Sequence, residues 1–256
     1  MANPQNQKGI SLQGFIPVRK DPFERSEMVT QILFGESLEI LDDEARWLYI
    51  RTDFDTYEGW IDKKCIEILE EAEYEPIYLV CRQGTKVKNL SANTEFILPA
   101  GAVIPKIKGK HFQLAGTEFE LIDPSQLIKP GELPIRALIQ EIMHVPYIWG
   151  GRSGYGFDCS GLTQYLCRAI GKNIPRDAGD QSAQGSTLSF ISEAKEGDLA
   201  FFDDTEGMIH HVGMILEEKR LIHASGMVRT DRIDQQGIFN EQKGEYTHKL
   251  RVLKRV

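Results

Sequence analysis

Cys159, His211 and His223 supply the side-chain types that nucleophilic catalysis requires. Cys159 lies in Phe157-Asp158-Cys159-Ser160-Gly161-Leu162, shortly after Tyr147-Ile148-Trp149-Gly150-Gly151, where a loop runs into a helix. A thiol at a helix N-terminus meets free backbone N–H groups and the positive end of the macrodipole, which favour the thiolate, the form that attacks. A base within hydrogen-bond reach must take the thiol proton and return it, and a third group must fix that base. His211 opens the apolar run Val212-Gly213-Met214-Ile215, and His223 falls in Leu221-Ile222-His223-Ala224 beyond the charged turn Glu217-Glu218-Lys219-Arg220. Adjacent antiparallel strands bring such imidazoles together, in a register that the sequence leaves open. If the strand also takes in His210, alternation sends His210 to the face opposite His211. This combination is that of a cysteine hydrolase.

The elements that must position these groups are readable from periodicity. Asp158 is placed to cap a helix that runs through Leu162, Leu166, Ala169 and Ile170 and stops at Gly171. Before it, Pro134 suits a first helical turn, and Ile135, Leu138, Ile139, Ile142 and Met143 recur at helical spacing as one buried stripe. After it, Leu199-Ala200-Phe201-Phe202, Val212 to Leu216, Leu221 to Ala224 and Leu250 to Leu253 read as strands of one antiparallel sheet. Helices first and sheet second make this region α+β. Pro124, Ser125, Pro130, Gly131 and Pro134 mark a linker ahead of it. Further upstream, Ser37 to Leu41, Trp47 to Thr52 and Gly59 to Ile61 are short strands of a small barrel. A second β set runs from about Tyr78 to Ile122, through Phe96 to Leu98, Ala102 to Pro105 and Phe119 to Ile122. The expected division is 1–72, 73–126 and 127–256.

Composition narrows the partners. A net charge of −8 argues against a nucleic-acid backbone or an anionic membrane, and no apolar run in the 256 residues is long enough to span a bilayer. The polar start Met1 to Ile10 lacks the apolar core of a secretory signal, which gives a cytoplasmic expectation. The four cysteines form no CxxC pair, in keeping with a reducing compartment. Cys65 and Cys81 in strand-like segments, and Cys167 two helical turns past Cys159, read as packing residues.

Tyr147 to Gly151, Asp158 to Leu162, Arg176-Asp177, Gly197-Asp198-Leu199, His211-Val212-Gly213 and Ile222-His223-Ala224 together resemble the NlpC-type family of papain-like cysteine peptidases over most of residues 133 to 256. Gly35-Glu36, Trp47 and Tyr57 to Ile61 resemble bacterial SH3-like modules. The resemblance implies a papain-like catalytic domain preceded by one or two SH3-like β-barrels. It also implies cleavage of γ-D-glutamyl bonds in cell-wall peptides. Members with this architecture resemble the dipeptidyl-peptidase VI type, which releases L-Ala-γ-D-Glu from short murein peptides during their recycling.

Carried over, the resemblance makes Cys159 the nucleophile, His211 the base and acid, and His223 the group that orients His211. It assigns Tyr147 and the Cys159 backbone N–H to the oxyanion, and it implies no metal or cofactor. The free α-carboxylate of a γ-linked D-glutamate matches Arg176 as a bidentate partner, with Ser160 adding a hydrogen bond and Asp158 counted among the oxyanion and substrate-binding residues. A free ammonium on L-Ala matches Asp177, and the family's acidic residue and tyrosine from the first SH3-like module correspond to Glu27 and Tyr57. Where many relatives carry a serine after the aspartate, this chain has Ala178 and so lacks that hydroxyl. The competing readings are a general γ-D-glutamyl endopeptidase acting on intact wall, a non-catalytic wall-binding protein, and a zinc site built from Cys159, His211, His223 and a carboxylate, although these lack close metal-ligand spacing. At the level of single residues, Arg176 and Asp177 could instead form a surface ion pair, and His223 a core histidine.

Overall fold

The computed structural model describes residues 7–69, 74–80 and 85–256. The first module contains β1 (Lys8–Ile10), β2 (Phe15–Arg19), β3 (Met28–Leu33), β4 (Ser37–Glu44), β5 (Trp47–Thr52), β6 (Glu58–Asp62) and β7 (Glu67–Leu69), in the order β3-β2-β6-β5-β4-β1-β7. Period-2 alternation sends Ile16, Val18, Leu38, Ile40, Leu48, Ile50 and Ile61 into one core and leaves charged neighbours outside. Each such side chain stabilises the barrel by roughly 1.5–3 kcal/mol through burial. Cys65 closes a short 3-10 turn rather than a strand, and packs half-buried against this core. Cys81 lies outside the described residues.

The second module contains β8 (Tyr78–Val80), β9 (Thr85–Asn89), β10 (Thr94–Leu98), β11 (Val103–Ile104), β12 (His111–Leu114), β13 (Thr117–Leu121) and β14 (Leu127–Ile128). These form two small antiparallel sheets, β10-β9-β13-β12 and β11-β8-β14. β14 falls where the breaker-rich linker and the start of the catalytic region were expected. Its pairing with β8 draws that stretch into the module instead. Phe34 of the first module sits edge-on to Phe119 in the second module's core, and the Val103 N–H donates to the Phe34 carbonyl at 2.9 Å. The two modules are therefore fused through shared packing.

The C-terminal domain contains α1 (Ile135–Ile142), β15 (Arg152–Ser153), β16 (Gly156–Phe157), α2 (Cys159–Ala169) and α3 (Ala178–Ser182). Then come β17 (Ser186–Leu188), β18 (Leu199–Asp203), β19 (Ile209–Leu216), β20 (Arg220–Ser225), β21 (Met227–Ile233), β22 (Gly237–Asn240) and β23 (Glu245–Arg255). The expected sheet is closed rather than open. β23 pairs with β18 on one side and β22 on the other, so that β18 to β23 form a six-stranded barrel with β17 appended to β23. Register shifts at Phe201/Phe202 and Ile238/Phe239 let the long β23 bend between both partners. α1 and α2 bury their apolar faces against this barrel in one core with Phe201, Val212, Met214 and Ile222.

A buried polar cluster joins the first module to the catalytic domain. Arg152 donates from Nη1 and Nη2 to Glu36 at 3.0 and 3.2 Å, and from Nε to Gln164 at 2.6 Å. Arg168 pairs with the same Glu36, and Gln164 reaches Asp55 at 2.8 Å. Phe54 lies over the Arg168 guanidinium, 3.9 Å from its ring centroid. The cluster ties the N-terminal barrel to the middle and last turn of α2.

Candidate active site

Asp158 organises the helix entry. Its Oδ1 accepts the Gly161 N–H at 2.7 Å and its Oδ2 the Gly150 N–H at 2.8 Å, so one carboxylate caps α2 and anchors the preceding loop. Two glycines permit this closeness. Gly150 has φ +78° and a Cβ there would lie 2.4 Å from the Met28 carbonyl, while a Cβ on Gly161 would lie 2.1 Å from the Gly151 carbonyl.

Arg176 completes that carboxylate's shell. Its Nη1 and Nη2 grip the two Asp158 oxygens at 3.1 and 2.5 Å, Nη1 also reaches Ser160 Oγ at 2.8 Å, and Nε reaches Thr30 Oγ1 at 2.9 Å. The expected bidentate grip on a substrate carboxylate is thus corrected: the fork is spent on Asp158, leaving one Nη2 N–H over. Nor is Arg176 in a surface pair with Asp177, since it is 2% exposed. Ser160 Oγ accepts from Arg176 and donates to Asp158 at 3.3 Å.

Cys159 is the first residue of α2 and is 7% exposed. Backbone N–H groups of Val212 and Ser160 favour its thiolate, as does Arg176. Burial outweighs them, and the Asp158 charge adds to burial, so the thiol is pushed up to about 11. This reverses the expectation of a thiolate set by the helix end alone. The thiol keeps its proton until a base takes it.

The candidate for that base stands on β19. His211 is buried and His210, its neighbour, is exposed, as alternation requires, and the His210 carbonyl lies 4.0 Å from Cys159 Sγ. The register Gly213↔His223 places His223 diagonally beside His211 on the same face, with His211 Nε2 2.9 Å from His223 Nδ1. His223 Nε2 in turn lies 2.9 Å from Asp231 Oδ2 on β21. His248 on β23 stacks on His211, ring centroids 4.2 Å apart. Burial, followed by the charges of His223, His248 and His210, holds the His211 imidazole well below its ordinary value. His211 is therefore neutral at rest, the state in which an imidazole can accept a proton. The sequence carried no motif for Asp231; its signal was position, on the strand after His223 and diagonal to it.

These groups open on a cleft of about 920 Å³ lined from both sides. The catalytic domain supplies Tyr147, Trp149, Cys159 and Asp177, and the N-terminal barrel supplies Glu27 and Tyr57. Trp149 Nε1 donates to Glu27 at 2.7 Å, and the Tyr57 hydroxyl donates to Asp177 at 3.3 Å. Burial and the Asp177 charge push the Tyr57 phenol to about 12, and burial raises the Asp177 carboxyl above its ordinary value. Burial, with the charges of Cys159 and Asp158, keeps the Tyr147 phenol protonated, as a donor must be. Its hydroxyl has no hydrogen-bond partner among the described residues. Cys167, on α2 itself, is fully buried in the core. Among the described residues no group of three or more His, Cys, Asp or Glu side chains is arranged to hold a metal ion.

Residues 144–247 match the NlpC/P60 family, and residues 18–66 match the bacterial dipeptidyl-peptidase Sh3 domain. A gamma-D-glutamyl-L-lysine dipeptidyl-peptidase of Bacillus subtilis is 29% identical over 212 residues, spanning 76% of this chain and 71% of its own. A protein of the same name from Bacillus cereus is 27% identical over 246 residues, spanning 81% and 70%. The crystal structure of an NlpC/P60 family protein from Bacillus cereus superposes over 97% of this chain and 99% of its own with a TM-score of 0.82. At 19% identity, that likeness speaks to the fold.

Proposed function

The C-terminal domain of this chain belongs to the NlpC/P60 family of cysteine peptidases and stands behind a bacterial dipeptidyl-peptidase SH3 domain; from that premise we propose that it hydrolyses the γ-D-glutamyl to diamino acid bond of short murein peptides with a free N-terminal L-Ala. One observation carries the reading. Glu27 and Tyr57 of the barrel line the same cleft as Cys159, with Tyr57 bonded to Asp177, so the cleft carries two carboxylates and a phenol where the barrel meets the catalytic domain. An ammonium group suits that lining. The names of the two Bacillus relatives support the same bond.

In this reading His211 takes the Cys159 proton and the thiolate attacks the γ-carbonyl. The Cys159 backbone N–H and the Tyr147 hydroxyl receive the oxyanion, a charge that exists only as the tetrahedral intermediate forms. The imidazolium of His211 then protonates the departing amine of the diamino acid. Water, deprotonated by His211, hydrolyses the thioester and frees L-Ala-γ-D-Glu. The D-glutamyl α-carboxylate is met by the remaining Arg176 N–H, and by Ser160 once its hydroxyl turns its proton from Asp158 to the substrate. A role in recycling places the reaction in a reducing compartment, which the unpaired thiols of Cys65, Cys159 and Cys167 support.

The test is incubation with L-Ala-γ-D-Glu-L-Lys, its diaminopimelate counterpart and the N-acetylated form of each, followed by mass spectrometry. Cleavage confined to free N-termini is the expected result. Equal cleavage of the acetylated peptides would replace this reading with a general γ-D-glutamyl endopeptidase. Full activity in a Cys159→Ala variant would remove the thiol mechanism.

A further inference from the structure

We propose that Asp231 is the terminal positioning residue of the catalytic relay, fixing through His223 which nitrogen of His211 is bare and balancing the charge that His211 takes up during attack. The inference rests on Cys159 and His211 being nucleophile and base. A carboxylate can only accept hydrogen bonds, so the contact at 2.9 Å requires the proton on His223 Nε2. His223 Nδ1 is then bare and accepts from His211 Nε2, also at 2.9 Å. His211 is left with Nδ1 unprotonated, the state needed to receive a thiol proton. One carboxylate on β21 thereby sets the direction of the whole chain of bonds.

Asp231 is built for this. It is 4% exposed, and Arg229 holds it ionised through Nη2 to Oδ1 at 2.9 Å and Nε beside Oδ2 at 2.7 Å. Burial works against its ionisation, but the bonds from His223 and Arg229 outweigh it and the carboxyl titrates below its ordinary value. When Cys159 loses its proton to His211 Nδ1, the imidazolium keeps its Nε2–H and no proton moves to Asp231. The carboxylate contributes its charge. The other groups facing His211 are His210, His248 and Cys159, and Lys243 and Glu245 line the polar recess around Asp231. None of them touches His223 Nε2 in place of Asp231.

The experiment measures kcat and KM against pH for the full chain and its Asp231→Ala and Asp231→Asn variants on L-Ala-γ-D-Glu-L-Lys, with Cys159 alkylation by iodoacetamide in parallel. Asp231→Ala should lower kcat by about 10- to 100-fold, the scale known for partners that orient metal-bound histidines, with KM unchanged. Loss of the negative charge disfavours the imidazolium, so the acid limb of the profile moves to lower pH in both variants. Asp231→Asn keeps an acceptor for His223 and should recover part of kcat without restoring the limb. A purely structural role predicts lost active fraction with an unmoved limb. Alkylation needs no peptide: near neutral pH it should slow in both variants and converge with the parent above the thiol's own value. If the parent leaves the peptide intact, the peptidase reading fails and alkylation alone decides the relay. Parental alkylation rates and an unmoved limb in both variants would overturn the role of Asp231.

Discussion

Glu36 and Arg152 form a bidentate ion pair across the junction of two domains, with side chains 3% and 4% exposed. Such a pair adds little over a well-packed apolar contact, yet removing one partner strands the other charge. Here the stranded charges would be Arg152 and Arg168 together. Glu36→Gln is therefore expected to cost about 3–5 kcal/mol, the range for broken buried pairs. Denaturant unfolding checks this. A midpoint within error of the parent would show that the junction does not depend on the charge.

The same junction sets an acid limit. Burial raises the Glu36 carboxyl, but Arg152, Arg168 and the Leu33 N–H outweigh it and bring it below 4.5. Asp55 is likewise lowered from 3.8 against the cost of its burial, by Arg152, Thr52 and Gln164. A carboxylate lowered on folding contributes stability fully present above its unfolded value and lost as pH falls through its folded value. Unfolding midpoints should hold steady down to the unfolded carboxylate range and then decline, with a shallower decline in Glu36→Gln. Matching slopes would place the acid sensitivity elsewhere.

Tyr147→Phe removes the one side-chain donor assigned to the oxyanion. The hydroxyl has no other partner among the described residues, so its loss should leave the fold intact. A fall in kcat of about 10²–10³, with KM little changed, is the effect of deleting one oxyanion donor. If KM rises instead, Tyr147 binds the substrate in its ground state.

What the sequence made legible was local. The Asp158 cap, the entry of α2 at Cys159 and the two histidine strands follow from residue type and short-range period. What it hid depends on long-range contact. Glu36 read as part of a barrel pattern, because its partner Arg152 lies 116 positions away. Asp231 required a register that no single strand encodes. The double pairing of β23 requires bends visible only once both neighbours are in place. The protonation of the Cys159 thiol is hidden for a related reason: the helix end is local, whereas burial and the Asp158 charge belong to the assembled site.

Alkylation exposes that difference. A thiol pushed up to about 11 should react slowly with iodoacetamide at neutral pH and faster through the alkaline range. Peptide mapping would assign the modification to Cys159, with Cys167 protected by full burial. A rate already level at pH 7 would mean that the resting site holds a preformed thiolate–imidazolium pair.

Selection of the N-terminus should separate from catalysis. Glu27 and Tyr57 belong to the barrel, and neither belongs to the chain of bonds from His211 to Asp231. If they hold an ammonium, Glu27→Gln and Tyr57→Phe should raise KM for the free peptide by about tenfold each, near 1.4 kcal/mol, the scale of one hydrogen bond to a charged group. The rate of turnover at saturation should be nearly preserved. Because Tyr57 also holds Asp177, its removal frees that carboxylate to turn, and the double variant should lose less than the sum of the two single effects if Asp177 compensates. The discriminating measurement is the ratio of kcat/KM for the free and N-acetylated peptides. Convergence of that ratio toward one in the variants is the expected outcome; a ratio fixed at the parental value while both rates fall would mean that the barrel supports the cleft without reading the substrate's end.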